Sequence, residues 1–213
     1  MNWLISTLGS SIGKKLMMAV TGLGFIGFLT VHLVGNLTLY SGQDLFTSYV
    51  KQLHALGPLI TLAELGLLSF AIIHIVIGTL LFYKNLMARP IRYRVKKNAG
   101  GRTIGSATQP YTGFIILAFL ILHLLNFHFA EHTNKSLYKL ISSVFANPLY
   151  VGVYVIAMIV VAIHVSHGFW SLFQTLGANH PKYMPLIQKL GIAVSLVFGI
   201  GFGFVPIFIS FIA

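Results

Sequence analysis

The sequence predicts an all-α integral membrane protein built on five transmembrane helices. Three observations predict it: 56% of the 213 residues are hydrophobic, only 8% are charged, and five stretches reach the roughly 20 apolar residues that a hydrocarbon core about 30 Å thick requires. The spans fall near 16–39, 60–83, 111–130, 149–173 and 186–212, and residues 1–213 read as one membrane domain. The segments between them carry turn or breaker chemistry: Ser41-Gly42-Gln43-Asp44, the basic stretch Arg89 to Arg102, the polar run Glu131 to Lys139, and Asn179-His180-Pro181-Lys182. No span has a neighbouring duplicate. The first apolar stretch is too long for a cleaved signal peptide, and no small-residue cleavage site follows it. The last span contains no His, Asp or Glu, and its Gly191, Gly199, Gly201, Gly203 and Pro206 point to a packed helix with a kink.

The charge is one-sided, with Lys+Arg 14 against Asp+Glu 3 and a net charge of +11. In a membrane chain this is read first as topology and not as nucleic-acid binding. Lys14, Lys15, Lys84, Arg89, Arg92, Arg94, Lys96, Lys97, Arg102, Lys182 and Lys189 fall on one side; Lys51, Lys135 and Lys139 fall on the other, with Asp44, Glu64 and Glu131. The positive-inside rule makes the first side cytoplasmic. The N-terminus is then inside and the C-terminus outside. The basic side suits anionic lipid headgroups and, as a sharper reading, a cytoplasmic partner. The chain contains no Cys, which excludes disulfides, thiolate metal sites, iron–sulfur ligation and covalent haem attachment.

Nine His against three acids is the excess to explain. His54, His132 and His180 lie in loops or at their edges, and His128 at a helix end. His32, His74, His123, His164 and His167 lie within spans, where ionisable groups are rare and usually functional. The first four spans alternate in direction, and each carries one His a little past its midpoint. His32 and His123 therefore share the outer half, and His74 and His164 share the inner half. Two facing imidazoles in a bundle core are the ligand set of a bis-His haem. The pairs would stack two haems across the bilayer, making the first four spans a di-haem four-helix bundle. Zinc would need three or four ligands at one level.

His167, one turn after His164, is the alternative ligand; His164 lies nearer the span's centre and is preferred, leaving His167 for a propionate, a carbonyl or water. Gly35, Gly78 and Gly168 follow the His residues at helical spacing and would leave room for a flat macrocycle or for close helix packing. Asn36 and Asn126 share the ligand-face spacing.

Taken in order, Ser11-Ile-Gly-Lys-Lys-Leu-Met-Met-Ala-Val-Thr-Gly22, Thr30-Val-His32-Leu-Val-Gly-Asn36, Arg92-Tyr-Arg-Val-Lys-Lys-Asn-Ala-Gly-Gly-Arg102 and His164-Val-Ser-His-Gly-Phe-Trp170 resemble the cytochrome b membrane subunit of bacterial succinate dehydrogenases and fumarate reductases, in its single-subunit, five-span, two-haem form. The resemblance spans essentially the whole chain. It implies axial ligands from the first four helices, His32 with His123 for the outer haem b and His74 with His164 for the inner. The family's His-x-x-x-Gly followed by a bulky and an aromatic residue is met by His164, Gly168, Phe169 and Trp170. The resemblance further implies a bacterial inner-membrane location and a flavoprotein and an iron–sulfur protein docked on the cytoplasmic face. Electrons would pass through the haems to a membrane quinone, menaquinone foremost, and the succinate or fumarate site would lie outside this chain. Lys15, Arg92 and Arg102 become candidates for haem propionates or for docking.

Two other readings compete. One is the di-haem subunit of another dehydrogenase, a hydrogenase or an ascorbate-dependent cytochrome; the other is a haem-free transporter with a His proton relay, for which the spans lack central carboxylates. Quinone reduction takes up two protons with two electrons, and Gln52, His54 and Glu64 lie on the outer side around Pro58. His54 stands where family members can carry an acid. His54→Ala and Glu64→Gln are expected to lower quinone-linked turnover; turnover equal to that of the parent chain would remove both residues from a quinone site.

Overall fold

A computed structural model describes residues 2–88, 103–130 and 136–212. The stretch 89–102, with Arg92 and Arg102, and residues 131–135 lie outside the described residues. The described chain is helical throughout its regular structure. It runs α1 (Asn2–Gly9), α2 (Ser11–Leu37), a 3₁₀ turn (Thr38–Ser41), α3 (Gln43–His54), α4 (Pro58–Met87), α5 (Ile104–Phe127), α6 (Leu137–Phe145), α7 (Pro148–Thr175) and α8 (Met184–Ile212). Five helices, α2, α4, α5, α7 and α8, are long and apolar enough to cross a membrane, so this is a multi-pass membrane protein.

Local chemistry sets the ends. Ser10 caps α2 by accepting from the Gly13 amide at 3.0 Å, and Thr103 and Ser106 form a reciprocal capping box at the start of α5. Pro58 and Pro148 open α4 and α7, where a missing N–H leaves no helical bond unmade. Gly42 at φ 93° and Gly57 at φ 53° make the turns on either side of α3.

Several boundaries differ from the sequence expectation. The third span begins at Ile104, seven residues before the expected 111, because the Thr103 box starts the helix and Pro110 inside it removes only one backbone bond. It stops at Phe127, leaving His128 to Ala130 in the following turn. Short helices α1, α3 and α6 were not expected; α3 and α6 occupy parts of the segments read as turns. Pro206 is fully buried inside a continuous α8.

Packing is uneven. Helix α7 lies against α8, α5 and α2 and contributes Ala157, Met158, Val161 and Val165 to a core completed by Leu33 of α2 and Phe198 of α8. A second core, at the end of the bundle covered by α3 and α6, joins Leu39, Phe46, Ile141, Phe145, Tyr154, Val205 and Ile209. Helix α4 lies against α2 and touches α5, but buries no residue.

Glycines let α7 and α8 approach closely. A Cβ on Gly199 would stand 2.9 Å from Ala162 Cβ, and one on Gly191 would meet Phe169 and the Ser166 carbonyl at 3.2–3.3 Å. Gly199→Val is expected to force the pair apart and destabilise the protein by about 1–3 kcal/mol. A lowered midpoint on thermal unfolding in detergent would register it, and an unchanged midpoint would contradict this packing.

Candidate functional site

Helices α2 and α5 bring His32 and His123 together. Their ring centroids are 6.0 Å apart and the ring planes are perpendicular at 90°. Phe28 stacks on His32 at 5.1 Å and Phe202 of α8 lies 5.5 Å from it. Phe119, Phe127 and Tyr154 surround His123 at 5.3–6.0 Å. The His123 Nδ1 atom is buried without a hydrogen-bond partner. The two imidazoles are close enough that a metal between them could take one nitrogen from each.

The other two His residues of the expected set are held differently. His74 of α4 has its Nδ1 2.9 Å from Thr21 Oγ1 of α2, and His164 of α7 has its Nδ1 3.0 Å from Thr112 Oγ1 of α5. Gln109, one turn before Thr112, places its side-chain amide nitrogen 3.4 Å from both the Nε2 and the carbonyl oxygen of His164, and its Oε1 is buried and unpaired. Phe25 meets the His74 ring edge-on at 5.5 Å. Gly22 and Gly113 leave bare backbone beside the rings: an added Cβ would lie 3.9 Å from His74 Cε1 and 3.5 Å from His164 Cε1.

Thr21 and Thr112 were missed in the sequence, although they carry a signal. Thr21-Gly22 precedes His32, and Thr112-Gly113 precedes His123, by the same eleven residues from Thr to His. Eleven residues make three helical turns, so each Thr shares a helix face with that His at a level about 16 Å away. Two spans thus repeat a pattern across unrelated surrounding sequence, although no duplicate was expected.

The remaining expected residues separate by environment. His167 turns its ring onto Trp170 at 4.8 Å, its Cβ faces the start of α5 near Gly105, and its Nδ1 is buried and unpaired. The Thr112 and Gln109 contacts belong to His164 instead. A Cβ on Gly168 or Gly78 would meet only the ends of Gln109 or Met18 at 3.5–3.9 Å, which leaves smooth helix surface there. At Gly35 the packing alternative applies, because its face is filled by the Tyr49 ring of α3.

Asn36 donates to the His32 carbonyl at 2.8 Å and Asn126 to the Tyr154 hydroxyl at 3.1 Å. Lys15, Gln52, His54 and Glu64 are exposed. Lys14 donates to the Gly9 carbonyl. Among the described residues no three His, Asp or Glu side chains converge; His32 and His123, adjacent and with the His123 Nδ1 unpartnered, are the pair whose donor chemistry fits a bis-His haem.

Comparison with known protein families, curated proteins and solved structures finds no match to the chain. Its own residues carry the functional reading.

Proposed function

We propose that this chain is a membrane-anchor cytochrome b, the quinone-reactive subunit of a succinate dehydrogenase or fumarate reductase, carrying two bis-His b haems between a peripheral iron–sulfur subunit and a membrane quinone. The observation that carries the reading is the facing of His32 and His123 at 6.0 Å in an aromatic enclosure. His32 and His123 would hold one haem, and His74 and His164 the other, with His164 favoured over His167 by the Thr112 hydroxyl on its Nδ1, which leaves Nε2 for the metal. Haem, when bound, supplies one-electron transfer between a two-electron dehydrogenase and a two-electron quinone.

The protein's part is to fix the imidazoles and exclude water. Phe25, Phe28, Phe119, Phe127 and Phe202 line the rings with apolar surface. Helices α2 and α4 run antiparallel, with Gly24 against Phe70, Thr21 against His74 and Met18 against Gly78, and that register extended along both helices sets Glu64 opposite His32. The two therefore share a layer. An exposed acid at that depth is positioned to exchange a proton with a quinone arriving from the lipid, with His54 at the end of α3 as its counterpart nearer the interface.

The basic side, Lys14, Lys15, Lys182, Lys189 and the stretch 89–102, would face the cytoplasm of a bacterial inner membrane and receive the iron–sulfur and flavoprotein subunits. Lys15, Arg92 and Arg102 would meet those partners, haem propionates or lipid phosphate.

Reduced-minus-oxidised optical spectra of the haem-loaded chain should show low-spin b haem at two per chain. His123→Ala should remove one haem and leave the other. Absence of haem in a properly loaded preparation would overturn the function, and loss of both haems on that substitution would overturn the pairing.

A further inference from the structure

We infer that Thr21 and Thr112 are positioning residues that fix the tautomer of His74 and His164, each accepting the imidazole Nδ1 proton and so directing the Nε2 lone pair into the bundle.

The direction of these hydrogen bonds follows from where each hydroxyl proton goes. Thr21 Oγ1 donates to the Met17 carbonyl at 2.7 Å, the usual back-bond of a hydroxyl within a helix. A hydroxyl has one proton; given to the Met17 carbonyl, the shortest of its contacts, it leaves Thr21 Oγ1 an acceptor toward His74 Nδ1 at 2.9 Å. Thr112 Oγ1 has backbone acceptors in Gln109 at 3.0 Å and Thr108 at 3.1 Å, and is thereby an acceptor toward His164 Nδ1. Neutral imidazole has one N–H, and placing it on Nδ1 makes Nε2 the lone-pair atom.

Gln109 agrees with this at His164: its amide nitrogen lies 3.4 Å from Nε2 and would donate to it there, a contact given up when Nε2 takes a metal. Both Thr residues are buried. The paired geometry also recurs on separate helix pairs, with Thr and His 53 and 52 residues apart in the chain. Two occurrences separate the arrangement from an incidental back-bond.

The consequence rests on the proposed haem reading. An acceptor on Nδ1–H raises the basicity of the ligating nitrogen and favours the ferric over the ferrous state. Thr21→Val and Thr112→Val keep the shape and remove the acceptor. Each should weaken the ferric preference about tenfold, moving one haem potential upward by about 59 mV. The haem of His32 and His123 should not move. Thr21→Ser and Thr112→Ser, which retain the hydroxyl, should restore the parent potential, a result that a purely structural role for the methyl and hydroxyl would not give.

Redox titration of the full-length haem-loaded protein reads these shifts. Nitrogen-15 NMR of the histidine-labelled full-length protein as purified reads the tautomers, with signals assigned from single His→Gln variants. Nδ1–H at both His74 and His164 is expected. Two haems in the parent with unmoved potentials in both Val variants would overturn the inference and leave the haem reading standing. A parent chain that takes up no haem would overturn the haem reading, and the NMR tautomers would still decide the inference. Nε2–H at either His would overturn it even where a Val variant fails to accumulate.

Discussion

Within the bilayer a polar side chain finds hydrogen-bond partners only in protein, and the arrangement of this bundle depends on that constraint. Helix α4 makes the case most clearly. It is apolar on every side and buries no residue, so hydrophobicity gives no preference for one rotation about its axis over another. The contact that does discriminate is His74 with Thr21, which turns one face of α4 toward α2. The same logic operates between α5 and α7, where Thr112 meets His164 at one level and Asn126 meets Tyr154 at the other. Interhelical hydrogen bonds in membranes are individually worth only about 0.6–2 kcal/mol. Their influence here adds to shape contacts on the same face, with Phe70 seated on Gly24 and Met18 beside Gly78.

The other half of the bundle is oriented by shape. Gly191 and Gly199 let α8 settle on α7, and Gly201 lies against Leu33 of α2. Small residues bring backbones close enough for dispersion to act over a long contact, which is what holds membrane helices together where lipid is as apolar as Leu. Helix α8 contributes no ligating group, but its Phe202 closes one side of His32. It acts as a back wall to the His32–His123 level, and its packing on α7 indirectly positions Tyr154 beside His123.

The five spans were legible from length and hydropathy because the bilayer thickness is a demanding requirement that few segments meet by chance. Their ends were less legible. The third span was expected from 111, but the capping box at Thr103 starts its helix at Ile104. Helices α1, α3 and α6 are too short for a span, and α3 and α6 balance an apolar face with a polar one, so they escaped a search for apolar length; Phe46, Ile141 and Phe145 are nonetheless buried in the core they close. In the site, depth along alternating spans was enough to bring His32 to His123. Thr21 and Thr112 were not found because a Thr in an apolar helix ordinarily bonds only its own backbone; the second bond, to another helix, is a tertiary fact. Gly35 was open between a macrocycle and close packing, and only the tertiary structure shows Tyr49 filling its face.

Helices α2 and α5 differ in kind from α4 and α7. Each of the former carries an imidazole at one level and, three turns away on the same face, a hydroxyl that holds an imidazole of a neighbouring helix at the other level. A slide of α2 by one residue, about 1.5 Å, would displace His32 and withdraw Thr21 from His74 together. A slide of α4 would move His74 from Thr21 and leave the His32–His123 pair in place. The two levels are therefore coupled mechanically through α2 and α5, and the caps at Ser10 and Thr103 that set where those helices begin fix the register of both levels at once. Under the proposed two-haem reading, both levels sit on the same two helices: the eleven-residue interval sets their separation along each, and α4 and α7 need supply only one imidazole each.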